Sequence, residues 1–294
     1  MTRQAETLYT GKQIKISDAV WKFFINLSAA LSILLLVFIV IYVAARGIGV
    51  INREFLTTVP STIKGTFGIA GNIVNTLYLI VLTLLIATPL GIGAAIYLNE
   101  YAKPGKLVSL IEFTTETLSG IPSIIFGLFG MIFFGSTLKL QYSLLTGALT
   151  MTLMILPLIT RNTQEALKTV PDSYRSGALG IGATKWYMIR TIMLPSAMPG
   201  IVTGVILAIG RIVGESAALL FTAGSGFVLP KTAIGWAQKV MQPGGTLTIQ
   251  LYLCMSKAQY SEAFGIAFIL LIIVLIINFL TKYFVNKLDV SKRQ

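Results

Sequence analysis

The chain of 294 residues is 55% hydrophobic and 12% charged, where a soluble domain carries about a quarter charged residues. One cysteine, Cys254, and no histidine exclude a disulfide within the chain and any metal site built on histidine or paired cysteines. The 23 lysines and arginines outnumber 11 acids but are scattered between apolar stretches, so the formal charge of +12 fits a membrane-facing surface and argues against nucleic acid as a partner.

Six charge-free stretches predict an all-α polytopic membrane protein with about six transmembrane helices: Phe23–Ala45, Gly65–Asn99, Thr117–Leu138, Leu140–Thr160, Thr191–Gly210 and Ala263–Thr281. A polar segment, 1–22, precedes the first span, 23–45, whose apolar run exceeds the roughly 7 to 15 residues of a signal peptide and reads as a retained anchor. Gly65, Gly68 and Gly71 make the start of the second stretch a loop that leads into a helix from about Asn72 to Leu98. The third helix is expected to begin near Lys106, to carry Glu112 and Glu116 into the membrane, and to kink at Pro122 among Ser119, Gly120 and Ser123.

Between the fourth and fifth spans the loop reads as two short helices. Pro171 suits a first helical turn, Gly182 a left-handed stop, and Thr184 a cap for a second helix with Trp186, Ile189 and Met193 at helical spacing. Pro195 and Pro199 close this compact basic knob before the fifth span, which is expected to run past Arg211 and Glu215 towards Phe221. Arg211 and Glu215, four residues apart, then share a helix face. At 1.5 Å per residue Arg211 lies about 18 Å from Pro199 and Glu116 about 15 Å from Lys106, which places both near the midplane. Charges at that depth cost at least roughly 2.5–3.5 kcal/mol each, so they line a pathway for an anion or fasten helices as a neutral pair; the residues alone leave both readings open. The outer loop 222–262 receives no assigned structure, though its aromatic residues allow a re-entrant or interfacial helix. Segments 1–22, 99–106, 161–190 and 282–294 hold fifteen lysines and arginines against seven on the other face, which puts both termini in the cytoplasm.

The frame of Gly182, nine residues, then Ile192-Met193-Leu194-Pro195 resembles the coupling loop of bacterial ABC importer permeases, E-A-A-x3-G-x9-I-x-L-P. Ser176 and Gly177 stand where that pattern has Glu and Ala, and Ala178 agrees with it. GRIVGESAALLFTAG at Gly210–Gly224, IPSIIFGLFG at Ile121–Gly130 and TPLGIGAAIYLNEYA at Thr88–Ala102 are similar to the phosphate-importer permeases of the PstA type, with Ala218 where that pattern has proline.

This resemblance covers residues 70–284 and implies a type I (MetI-like) ABC importer permease fold there, with a coupling loop at 161–195 and a cytoplasmic tail at 285–294. It implies phosphate passage across the cytoplasmic membrane, with Arg211, Glu215 and Glu116 on the substrate pathway. Ala178, Gly182, Ala183, Leu194 and Pro195 would belong to the coupling contact with an ATPase. The implied partners are a PstC-type permease in a heterodimer, two PstB-type ATPases and a PstS-type phosphate-binding protein. No G-x-x-x-x-G-K-[ST] phosphate loop occurs, so ATP and magnesium are expected on the ATPase and no cofactor or catalysis in this chain. The other readings are a permease for another oxyanion and an ion-coupled secondary transporter; the latter needs inverted repeats, and none is visible.

Overall fold

The computed structural model describes residues 16–61, 65–103 and 105–288, so most of the N-terminal segment and of the C-terminal tail lies outside the described residues. Five helices are long and apolar enough to cross a membrane, and a bent pair makes a sixth span if its halves count together. The chain is an integral membrane protein.

The first helix, α1 (Ile16–Gly47), is apolar on all sides, and as far as Arg46 it forms a unit by itself. The second unit begins at Gly47. In it, α2 (Arg53–Thr57), capped by the Asn52 side chain, leads to α3 (Ala70–Ile96), which ends in a wider π-type turn at Tyr97–Tyr101. The expected start near Asn72 is met within one turn.

Next come α4 (Lys106–Gly120) and α5 (Ser123–Gly130), which the sequence joins into one kinked helix. The structure breaks them by 101°. Ile121 and Pro122 are extended, with ψ of 132° and 139°, because a residue before proline is driven out of the helical region and Gly120 opposes no turn. A second wide turn, Met131–Thr137, follows α5.

α6 (Leu144–Lys168) is the most enclosed of the spans and runs two turns beyond its apolar stretch. Two of the threonines it carries into the interior bond their hydroxyls to the preceding turn: Thr150 donates to the Thr146 carbonyl and Thr152 to that of Ala148, both at 2.8 Å.

The expected knob is present as α7 (Asp172–Gly180) and α8 (Lys185–Met188), with Gly182 at φ 85° and Thr184 accepting from the Tyr187 amide. Pro195 and Pro199 do not close it off. From α8 a wide turn at Ile189–Met193 passes directly into α9 (Leu194–Gly214), and the wider turn ahead of Pro195 accommodates the missing amide donor without ending the helix.

Nor does α9 reach Phe221. It stops at Gly214, Glu215 is extended (φ −80°, ψ 127°), and a separate α10 (Ala217–Thr222) follows. Arg211 and Glu215 therefore do not share a helix face.

Between α10 and the last span lie α11 (Ala233–Gln238) and the short apolar α12 (Leu247–Ser256), which turns at Ala258 into α13 (Tyr260–Leu288). This segment is pinned to the start of α3: Asn72 donates to the Gly245 carbonyl, and Asn75 to those of Gly226 and Gly245. The fully buried Lys239 donates to the carbonyls of Val228 (2.8 Å) and Pro243 (3.4 Å), and desolvation lowers its pKa.

One apolar core joins α3, α5, α6, α9, α10 and α12; a second packs the end of α6 against the knob and the start of α9. Helices in lipid gain little from burying apolar surface, so close approach at small residues holds them together. A Cβ on Gly91 would stand 2.7 Å from Ile159, and one on Gly127 would stand 2.7 Å from the Ala218 backbone.

The second contact cannot yield by moving a side chain. Gly127→Leu should therefore separate α5 from α10 and cost about 1–3 kcal/mol. Gly93→Leu, where nothing lies within 4 Å, should cost nothing comparable. Thermal unfolding of the detergent-purified chain checks this, and equal melting temperatures for the two variants would refute the close-approach account.

Candidate functional site

A cavity of about 460 Å³ opens between α4, α6 and the end of α9. Into it α4 projects Glu112 and Glu116, one turn apart; α6 projects Arg161, Glu165 and Lys168 at helical spacing; α9 contributes Arg211. The wall thus carries three basic and three acidic side chains.

The charges are not evenly matched. Arg161 lies 3.8 Å from Glu116 and 3.5 Å from Glu165, so two carboxylates neutralise it. Both contacts are exposed and contribute about 0–1 kcal/mol apiece. Arg211 has no ion pair within 4.0 Å among the described residues. Its position in the last turn of α9 is favourable for a cation, since the unpaired carbonyls of a helix C-terminus carry partial negative charge. The break at Glu215 creates that terminus beside the cavity that Arg211 lines. A guanidinium so placed keeps its N–H fork free for an oxyanion.

Of the residues expected on the pathway, Arg211 and Glu116 line this cavity and Glu215 does not. A carboxylate oxygen of Glu215 accepts from the Ala218 amide at 3.0 Å, capping α10, and its carbonyl accepts from Thr248 at 2.8 Å. A proline at 218 would lack the donor for that cap. Arg161 escaped notice because the charge-free run ends at Thr160, which made it the first residue of a loop. The signal that places it on a helix is the termination: nothing stops α6 before Thr169-Val170-Pro171.

At the knob, Ala178 is buried, and Ala183 and Leu194 pack against the same lower core as Met188, Ile189 and Met193. Pro195 sits in the first turn of α9. Turned outward are Tyr174, Leu179, Trp186 and Tyr187, with Ile181 at the tip 87% exposed. This is an apolar and aromatic surface on a rigid, glycine-stopped turn, of the kind that marks a protein interface. Ser176, at the position of the pattern's glutamate, bonds back to the Asp172 carbonyl.

The sequence profile of the family described as binding-protein-dependent transport system inner membrane component matches residues 87–294. The chain is 32% identical to the probable ABC transporter permease protein YqgI of Bacillus subtilis (strain 168), over 92% of this chain and 95% of that one. It is 36% identical to the phosphate transport system permease protein PstA 1 of Mycobacterium tuberculosis (strain ATCC 25618 / H37Rv), over 72% and 70%. A chain of the crystal structure of a bacterial alginate ABC transporter in complex with alginate pentasaccharide-bound periplasmic protein superposes with a TM-score of 0.67 at 16% identity, covering 92% of this chain and 96% of that one. A chain of the inward-facing MetNI methionine ABC transporter gives 0.57 at 21% identity, over 75% and 94%. These two likenesses establish the fold: a type I, MetI-like permease.

The Glu215 cap separates a structural carboxylate from one that acts by charge. Glu215→Ala should destabilise the chain by about 1 kcal/mol, as for loss of a helix cap. Glu215→Gln, which keeps the accepting oxygen, should cost distinctly less. Melting temperatures of the two purified variants decide it, and equal losses would show that the charge, not the cap, is what α10 requires.

Proposed function

The chain belongs to the family of binding-protein-dependent transport system inner membrane components, and from that premise we propose that it is the transmembrane permease subunit of an ATP-driven importer of inorganic phosphate. The observation that carries the substrate is Arg211: a cation without an ion-pair partner among the described residues, in the last turn of a helix and on the wall of a polar cavity. Arg161 is a second cation on the same wall, held by carboxylates that a phosphate entering the cavity would displace. Relatives named as phosphate transport permeases at 34–40% identity support the same substrate.

The knob then docks into an ATPase subunit through its outward aromatic face. Ala178, Gly182, Ala183, Leu194 and Pro195 give that face its shape from behind, since three of them pack into the lower core and Gly182 makes the turn. ATP and magnesium belong to that partner, and this chain performs no chemistry. A PstC-type permease, two PstB-type ATPases and a PstS-type binding protein complete the assembly. The lysine and arginine bias supports a cytoplasmic position for both termini and, with them, the knob.

Phosphate uptake with all partner subunits present, and assembly measured separately, tests the reading. Arg211→Gln should lower uptake at least about tenfold at normal assembly, and Arg211→Lys should keep part of it, because an ammonium preserves charge but loses the planar fork. The double variant Arg211→Gln with Glu215→Gln should remain inactive, since Glu215 is occupied with α10. Wild-type uptake by assembled Arg211→Gln, or full recovery in the double variant, would make the arginine a fastener of helices.

A further inference from the structure

Glu100 lies in the wide turn that ends α3, and its side chain is 5% exposed. A carboxylate buried this far needs compensating donors. Arg175, on α7, supplies two: its Nε and Nη2 stand 3.2 and 3.1 Å from the same Glu100 oxygen. Asn99 donates to that oxygen as well, at 2.7 Å.

The remaining N–H groups of Arg175 reach the carbonyls of Leu167 (3.0 Å) and Val170 (3.2 Å) at the end of α6, and the Asp172 carboxylate (2.6 Å) that opens α7. A second cation comes from the other helix of the knob. Lys185, at the start of α8, donates to the Glu100 backbone carbonyl, and its ammonium lies 4.9 Å from the centre of the Tyr101 ring.

Each of the two knob helices thus sends one cation to the same residue of α3. The knob is covalently continuous with α6 and with α9, and Glu100 adds a polar tie to α3, a helix that the knob does not adjoin in sequence and whose Ile92 and Ile96 pack against the same apolar cluster. α3 in turn runs against α6 with no room for a side chain at Gly91. By contrast α4 meets α6 in this region through the exposed 3.8 Å contact of Arg161 with Glu116. A push on the knob would therefore reach α3, α6 and α9 together, and the cavity lies between α4 and the α6 and α9 members of that block.

We propose that Glu100 is a positioning residue for coupling: through Arg175 and Lys185 it carries movement of the knob into α3, so that the block on one side of the cavity moves as a unit when the ATPase subunit closes. This rests on the docking of the knob to an ATPase proposed above. It concerns a residue outside both the docking surface and the cavity, and it makes the ratio of transport to hydrolysis the quantity to measure.

The test uses the complete transporter in proteoliposomes, with the co-expressed ATPase, partner permease and binding protein, and reads phosphate taken up per ATP hydrolysed. Glu100→Gln should keep ATPase association and hydrolysis while the ratio falls about tenfold, within the span expected of a residue on a coupling route. Glu100→Asp should recover part of the ratio. Lys185→Gln, an exposed substitution that leaves the buried pair intact, should give a smaller fall in the same direction.

An unchanged ratio in Glu100→Gln would overturn the proposal. So would loss of assembly in Glu100→Gln together with a wild-type ratio in Lys185→Gln, which would reduce the cluster to a structural fastening. Failure of the docking premise shows elsewhere, as an unsubstituted chain that neither binds the ATPase nor supports uptake, and that result would overturn both readings.

Discussion

Close approach around α6 is the constraint on which the rest depends. Lipid offers its helices no hydrophobic reward for associating, so they hold together where backbones come near enough for dispersion contacts to accumulate. α6 meets this with small residues facing it on both sides: Gly91 of α3 against Ile159, and Gly204 and Gly200 of α9 against Asn162 and Ala166. Its Thr150 and Thr152 return their hydroxyls to the preceding turn and so enter the interior without an outside partner. With α3 and α9 fixed against α6, the end of α6 can support the knob and its polar flank can form one wall of the cavity.

The two broken helices give the bundle its polar character. Regular helices satisfy their own backbone, and an end inside a membrane protein leaves carbonyls and amides to be met by side chains. At the α9–α10 break the two ends are treated differently. Glu215 meets the Ala218 amide at the start of α10, and Arg211 brings a cation to the last turn of α9. The same break therefore explains why a carboxylate and a guanidinium four residues apart do not neutralise each other, and why the guanidinium remains available to an anion. The α4–α5 break lies beside it: Gly127 of α5 rests on Ala218 of α10.

Much of this was legible in the sequence, for local reasons. Span positions follow from hydropathy, and the knob from Pro171, Gly182 and Thr184, whose backbone preferences act within a few residues. Residues 210–216 misled because periodicity was extended through Gly214, a residue compatible with either continuation or a stop. Pro122 was read as a kink where a preceding glycine and an extended isoleucine made a 101° break. Arg161 was hidden by equating the end of an apolar run with the end of a helix. The pairing of Glu100 with Arg175 spans 75 residues and depends on how α3 lies along α6, so no local pattern announces it.

The central claim is that the cavity at Arg211 is the passage for phosphate and that an ATPase controls access to it. A single cysteine in place of Ser119, which lines this cavity, in a Cys254→Ser background, allows a direct measurement in the assembled transporter. A charged, impermeant thiol reagent applied from the ATPase side should label it readily without nucleotide, more slowly with phosphate present, and hardly at all once ATP is trapped in the closed ATPase. Labelling at the same rate in all three states would contradict the account.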